Sequence, residues 1–284
     1  MRAIDSLLAN LIDYAGLYPP AALNMRSALQ NYLSYSNGKR AAALGRFVVD
    51  LNRLLELREV AGDAIRELRL SIVASPNTEW DNLSQLLNEG SSIDVIEIKT
   101  DLPSQIKHIC KRIPSGMTTY FEIPVHACTS ETLAAISDSD SRVKLRMGGV
   151  VAETFPSTSA VANMLNALAH NRIAFKATAG LHHPIRSHHH YTDEPDSPAG
   201  IMHGFLNLFL AAALIHFGGD VREANLLLEE QNPSAWQVTS EAIGWHTYRW
   251  SSDQLRTLRE EFTISFGSCS FEEPIHDLEA LGWL

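Results

Sequence analysis

Short runs rich in β-branched and aromatic residues recur along this chain with helical patterns between them, and that alternation limits the fold more than any other feature. The runs are Gly45 to Asp50, Leu70 to Ser75, Asp94 to Thr100, Thr119 to Val125, Val143 to Gly148, Ala174 to Ala179 and Phe262 to Ser268. Helical spacing is carried by Leu51 to Arg66, Trp80 to Leu87, Gln105 to Arg112, Thr129 to Ile136, Ser157 to His170, Pro198 to Phe217 and Asp253 to Glu261. Ser197 and Pro198 read as the cap and first turn of the most apolar of these helices, and Gly218-Gly219 as its stop. Strands alternating with helices specify a parallel sheet. Seven or eight such units in 284 residues fit an α/β fold of the (β/α)8 TIM type, as a single barrel domain over residues 1–284. A doubly wound sheet would carry a glycine-rich loop after its first strand, and Asp50-Leu51-Asn52-Arg53 is not one. The eighth strand is expected at or just before Ala242 to Trp245. Residues 1–40 are expected to form a helical N-terminal extension packed on the barrel.

Side chains alternate along a strand, so parity assigns faces. Val95, Glu97 and Lys99 share one face; so do Tyr120, Glu122 and Pro124; Lys144, Arg146 and Gly148; and Lys176, Thr178 and Gly180. The opposite faces hold Ile96 and Ile98, Phe121 and Ile123, Leu145 and Met147, and Phe175 and Ala177. In a barrel the apolar face packs on helices, which turns the charges inward. Inward charges are tolerated near a solvated mouth or as compensating pairs.

This constellation suits amine chemistry. A lysine in a low-dielectric site near other cations is expected to have a depressed pKa and to attack carbonyl carbon as a free amine. Lys176 is the candidate amine, with Glu122 as acid/base and Glu97 beside it. Arg146 and Lys99 are expected to hold an anionic substrate group, and Gly148-Gly149, Thr178 and Ser268 to contribute donors near the strand ends.

The run Phe175-Lys176-Ala177-Thr178-Ala179-Gly180 resembles the Schiff-base strand of the deoxyribose-phosphate aldolases, class I aldolases of (β/α)8 fold that carry Lys-Thr-Ser-Thr-Gly there. Lys176 and Gly180 match. The family's second lysine, one strand further on, has no counterpart here. Ile93-Asp94-Val95-Ile96 is similar to the family's Ile-Asp-Met-Val, which would make Asp94 a proton-relay residue. The resemblance implies a lyase of the aldolase type that needs no cofactor.

Five of the twelve histidines fall within His182 to His190. His182 and His183, directly after the Lys176 strand, are candidates for acid/base work or substrate hydrogen bonding. The triple His188-His189-His190 reads as a solvated loop. A second reading is a divalent-metal enzyme with ligands among His182, His183 or His188 and Glu122 or Glu97. Asp13 to Pro20 reads as a connector between helices, with two tyrosines and one acid.

Composition narrows the partners. The net charge of −10 with dispersed lysines and arginines argues against nucleic acid and anionic membranes. Three cysteines, Cys110, Cys128 and Cys269, fit neither a disulfide framework nor a metal site and suit a reducing cytoplasm. The start, Met1-Arg2-Ala3-Ile4-Asp5, does not read as a signal peptide. Ile201 to Phe217 is too short to span a bilayer. The expectation is a lysine-dependent lyase, aldolase or isomerase acting on a small anionic carbonyl compound, a sugar phosphate or keto acid. The alternatives are the metal enzyme and a non-catalytic barrel that binds anions. Nothing in the composition excludes a homo-oligomer.

Overall fold

The computed structural model describes residues 1–80, 83, 93–192 and 194–284. Eight parallel strands close into a barrel. They are β1 (Ile12–Tyr14), β2 (Leu44–Asp50), β3 (Leu70–Ala74), β4 (Ile93–Lys99), β5 (Thr118–Pro124), β6 (Arg142–Arg146), β7 (Phe175–Thr178) and, last in the chain, β13 (Thr263–Ser268). The TIM-type barrel expected from the alternation is therefore present. All seven strands read from the sequence belong to it.

The eighth strand is not where the sequence placed it. Ala242–Trp245 (β11) lies in a separate antiparallel sheet with Trp236–Val238 (β10) and Tyr248–Ser251 (β12). The closing strand is β1, within the stretch read as a helical extension and connector. It pairs with β2 on one side and β13 on the other, with Asp13 opposite Gly267 and Tyr14 opposite Ser268.

Helices cover the apolar outer face, where Ile96, Ile98, Phe121, Ile123, Leu145 and Phe175 are fully buried. Helix ends follow local chemistry. Ser157 caps Thr158–His170, and Ser251 with Gln254 forms a capping box on Ser252–Glu261. The apolar helix begins later than expected, at Phe205, because Ala199–Met202 (β9) pairs with Ser187–His190 (β8) as an antiparallel hairpin. The triple histidine is thus a strand rather than a loop. The Phe205 and Leu206 amides are taken by the His183 and Pro184 carbonyls, so the histidine segment itself caps the helix. Asn207, buried inside that helix, is satisfied by the Arg186 amide and the Leu227 and Glu230 carbonyls. The helix expected over Trp80 to Leu87 lies, apart from Trp80 and Leu83, outside the described residues. Among the described residues no helix is long and apolar enough to cross a membrane.

Candidate active site

Inward-facing charges from five strands form one continuous chain across the barrel. Lys176 Nζ is 2.6 Å from Asp13 Oδ2 and 2.5 Å from Glu97 Oε1. Lys144 Nζ is 2.6 Å from Glu97 Oε2 and 2.8 Å from Glu122 Oε2. Arg146 Nη1 then donates to Glu122 Oε1 at 3.0 Å. Cation and anion alternate from Asp13 to Arg146, because parity aims these positions inward and the closed sheet brings β1, β4, β5, β6 and β7 within reach. Hydroxyls complete the shell: Ser265 donates to Asp13 at 2.7 Å and Ser71 to Glu97 at 2.6 Å. The Arg46 amide donates to Asp13 Oδ1 at 2.7 Å. The Tyr120 ring lies 5.2 Å from Lys176 Nζ, in cation–π range.

These pairings reverse the expected lysine electrostatics. Burial alone would push the Lys176 ammonium down, but the Asp13 and Glu97 carboxylates more than offset it and hold its pKa above the usual lysine value. Lys144 is raised in the same way, by Glu97 and Glu122 against burial. Burial pushes Glu97 up, and the Lys144 and Lys176 charges reverse this to leave it well below the usual range. Glu122, also opposed by burial, is lowered chiefly by Lys144 and then by Arg146. A depressed lysine pKa was expected because parity shows which charges point inward but not which of them meet, and Asp13, one of the two carboxylates on Lys176, was not among those it identified. Resting Lys176 is an ammonium, and Glu122 is a carboxylate suited to accept a proton rather than to donate one.

The network forms part of the wall of a cavity of about 460 Å³ at the C-terminal ends of the strands. Glu97, Glu122, Lys144, Arg146 and Lys176 all line it, together with Thr178 from β7 and Gly267 and Ser268 from β13. Gly149 and Val150 after β6, and Ala15 to Pro20 after β1, supply further wall through Ala15, Tyr18, Pro19 and Pro20. Ala179 lines it with φ of 62°. That left-handed backbone costs a residue with a Cβ on the order of 1 kcal/mol, and it turns the chain out of β7 beside Lys176.

Other expected site residues sit elsewhere. Lys99 ends β4 exposed and is not on the cavity wall. Gly148 is not on the wall either. A Cβ there would lie 2.5 Å from the Phe155 ring, and one at Gly180 would meet the same ring at 2.7 Å. These glycines make room for Phe155, which stacks on the cavity residue Tyr191 at 5.0 Å. Asp94 is exposed at the start of its strand and paired with Arg46 at 2.6 Å, far along β4 from a relay position. Asp13, in a stretch whose sequence pattern is that of a connector, is the buried carboxylate that reaches Lys176 alongside Glu97.

His182 is on the cavity wall, and His183 is not. His182 Nδ1 is 2.8 Å from Glu273 Oε2, and His183 Nδ1 is 2.6 Å from Asp277 Oδ2. Both acids come from the helix Glu272–Ala280. With Nδ1 taken by a carboxylate, Nε2 is the nitrogen that His182 can offer a ligand. The His183 ring stacks on His189 with centroids 3.4 Å apart. Both His182 and His183 line a second cavity of about 330 Å³, which shares Pro20, His182, Tyr191 and Cys269 with the first.

Glu97 and Glu122 are each held by two cations, while Glu273 faces both His182, at 2.8 Å, and His183 Nε2, at 3.8 Å. Among the described residues no group of three or more His, Cys, Asp or Glu side chains is arranged around a common point. No protein-family profile matches this chain, and no curated protein matches it.

Proposed function

We propose that this chain is an enzyme that forms a Schiff base between Lys176 and a small anionic carbonyl compound, and so acts as a lyase of the aldolase type or a related isomerase. The observation that carries the reading is the placement of Lys176 Nζ between Asp13 and Glu97 on the wall of the strand-end cavity. Six mutually paired charges of purely structural use would be expected to pack away from any cavity. Five of these six face one.

Attack on carbonyl carbon needs the neutral amine. Asp13 or Glu97 takes the proton across a bond of 2.6 or 2.5 Å. That transfer turns a buried ion pair into a neutral pair, a form favoured as a ligand expels water. The amine then bonds to the carbonyl carbon. One proton moves from the attacking nitrogen to the oxygen and the protonated carboxyl returns the second, so that the C–O bond breaks, water leaves and Lys176 becomes an iminium. The two carboxylates still face a cation at the same place, although the iminium keeps one N–H where the ammonium donates to both. Glu122, an ionised carboxylate, then accepts the proton from the carbon beside the iminium and an enamine forms. Arg146, partly exposed and tied to Glu122 through Nη1 alone, has N–H groups left for the anionic end. The likeness of the Lys176 strand to the deoxyribose-phosphate aldolases supports the same role.

The raised Lys176 pKa favours one other reading. Lys176 would stay an ammonium and stabilise an enolate while Glu122 moves the proton, which is isomerase chemistry without a covalent bond. Borohydride trapping with small keto acids and sugar phosphates separates the two. The expected result is an adduct that peptide mapping places on Lys176 and that Lys176→Arg abolishes. No adduct, or adducts on surface lysines only, overturns the Schiff-base reading.

A further inference from the structure

The wall contributed by the loop after β1 contains a hydroxyl that the charge network does not use. Tyr18 lines the cavity, its oxygen is buried, and among the described residues that oxygen has no hydrogen-bond partner. Its neighbours in sequence differ. Tyr32 donates to the Gly45 carbonyl at 3.0 Å, Tyr14 accepts from Asn31 at 3.2 Å, and Tyr35 reaches Glu272 at 3.4 Å. A buried hydroxyl without a partner destabilises the fold, and phenylalanine would fill the same space without that penalty. Such a group on a cavity wall is explained by a ligand that completes it. Burial and the Glu97 and Asp50 carboxylates raise the phenol pKa, so Tyr18 acts as a donor.

We infer that Tyr18 donates a hydrogen bond to a substrate oxygen other than the reacting carbonyl, so that the substrate is a hydroxylated carbonyl compound. This rests on the reading that Lys176 takes the carbonyl. Asp13 and Glu97 already serve the oxygen that leaves, which assigns Tyr18 to a second one. The ligand then spans from β7 to the loop after β1, with one oxygen function at each end. A plain ketone would leave the hydroxyl as orphaned as it is without ligand, and the site would discriminate against it.

Tyr18→Phe tests this with hydroxyacetone and acetone, which share a reacting carbonyl and differ by one hydroxyl. Without ligand, the variant is expected to melt about 2–4 °C above the wild type, because an unpaired polar group has gone. Binding is read as the half-saturating concentration in a thermal shift without borohydride, and separately as the yield of trapped adduct. The wild type is expected to prefer hydroxyacetone, and Tyr18→Phe to lose about tenfold of that preference. Preference lost with stability gained is a combination that a structural tyrosine does not give. A variant that melts lower, an unchanged preference, or no hydroxyacetone shift in the wild type each overturns the inference. A preference sensitive to Tyr18→Phe without any Lys176 adduct keeps the Tyr18 contact and removes the Schiff base. An adduct insensitive to the substitution does the reverse.

Discussion

Lys176 and Lys144 each sit between two carboxylates, and the cost of removing either depends on what is left behind. Lys176→Met keeps the volume and removes the charge, leaving Asp13 and Glu97 buried with one cation fewer. Breaking a buried ion pair from one side costs about 3–5 kcal/mol, and urea unfolding of this variant should show a loss of that order. Adding Glu97→Gln removes one of the stranded carboxylates, while Asp13 keeps Ser265 and the Arg46 amide, and Lys144 keeps Glu122. The double variant should therefore lose less than the two single losses added together. Strict additivity would mean that the two groups do not share a network. At this scale the sequence was informative in one direction only. Parity identifies Glu97, Glu122, Lys144, Arg146 and Lys176 as inward because a strand has a fixed period of two. It fails at Lys99, where β4 ends and the chain is free to turn its last side chain to solvent. It also says nothing of which inward groups meet, so the sign of the lysine pKa shift was beyond it.

Among the elements, β1 decides whether the site exists. Three residues are too few to show a period, and β1 is a strand because β2 and β13 flank it and supply its hydrogen bonds. For the same reason Asp13 reads in the sequence as a polar residue in a turn. The β8–β9 hairpin was hidden differently, since three consecutive histidines carry no apolar alternation. The importance of β1 can be tested through its neighbour. A Cβ at Gly45 would lie 2.3 Å from Asp13 Oδ1 and 3.1 Å from the Ile12 carbonyl. Gly45→Ala must push β1 and the Asp13 carboxylate away from β2, with an expected loss of about 1–3 kcal/mol and a lower yield of Lys176 adduct. Gly267→Ala on the opposite flank would meet only Thr178 Oγ1, at 3.3 Å, so its stability should stay within about 0.5 kcal/mol of the wild type. Equal losses from the two substitutions would show that the Gly45 contact with Asp13 is not what holds β1 in place.

Over the whole molecule, surface and interior respond oppositely to acid. The chain carries a net charge of −10 at pH 7, whereas the six groups of the network cancel: Lys144, Lys176 and Arg146 against Asp13, Glu97 and Glu122. Protonating surface carboxylates relieves self-repulsion. The buried Glu97 and Glu122 have folded pKa values below their ordinary ones. Their stabilising contribution is therefore complete above the unfolded value of about 4.3 and disappears as pH falls through the folded one. Lys144 and Lys176 have raised folded values, so their contribution is complete below about pH 10.4 and is lost as pH rises through the folded values. Thermal unfolding should accordingly show a Tm plateau between about pH 5 and 9 and a steep fall below about pH 4. Glu97→Gln should lower the plateau and make the acid fall shallower, because one strongly depressed carboxyl no longer takes up a proton on unfolding. An acid limb of unchanged slope in that variant would remove Glu97 from the titrating groups and as the electrostatic partner of both lysines.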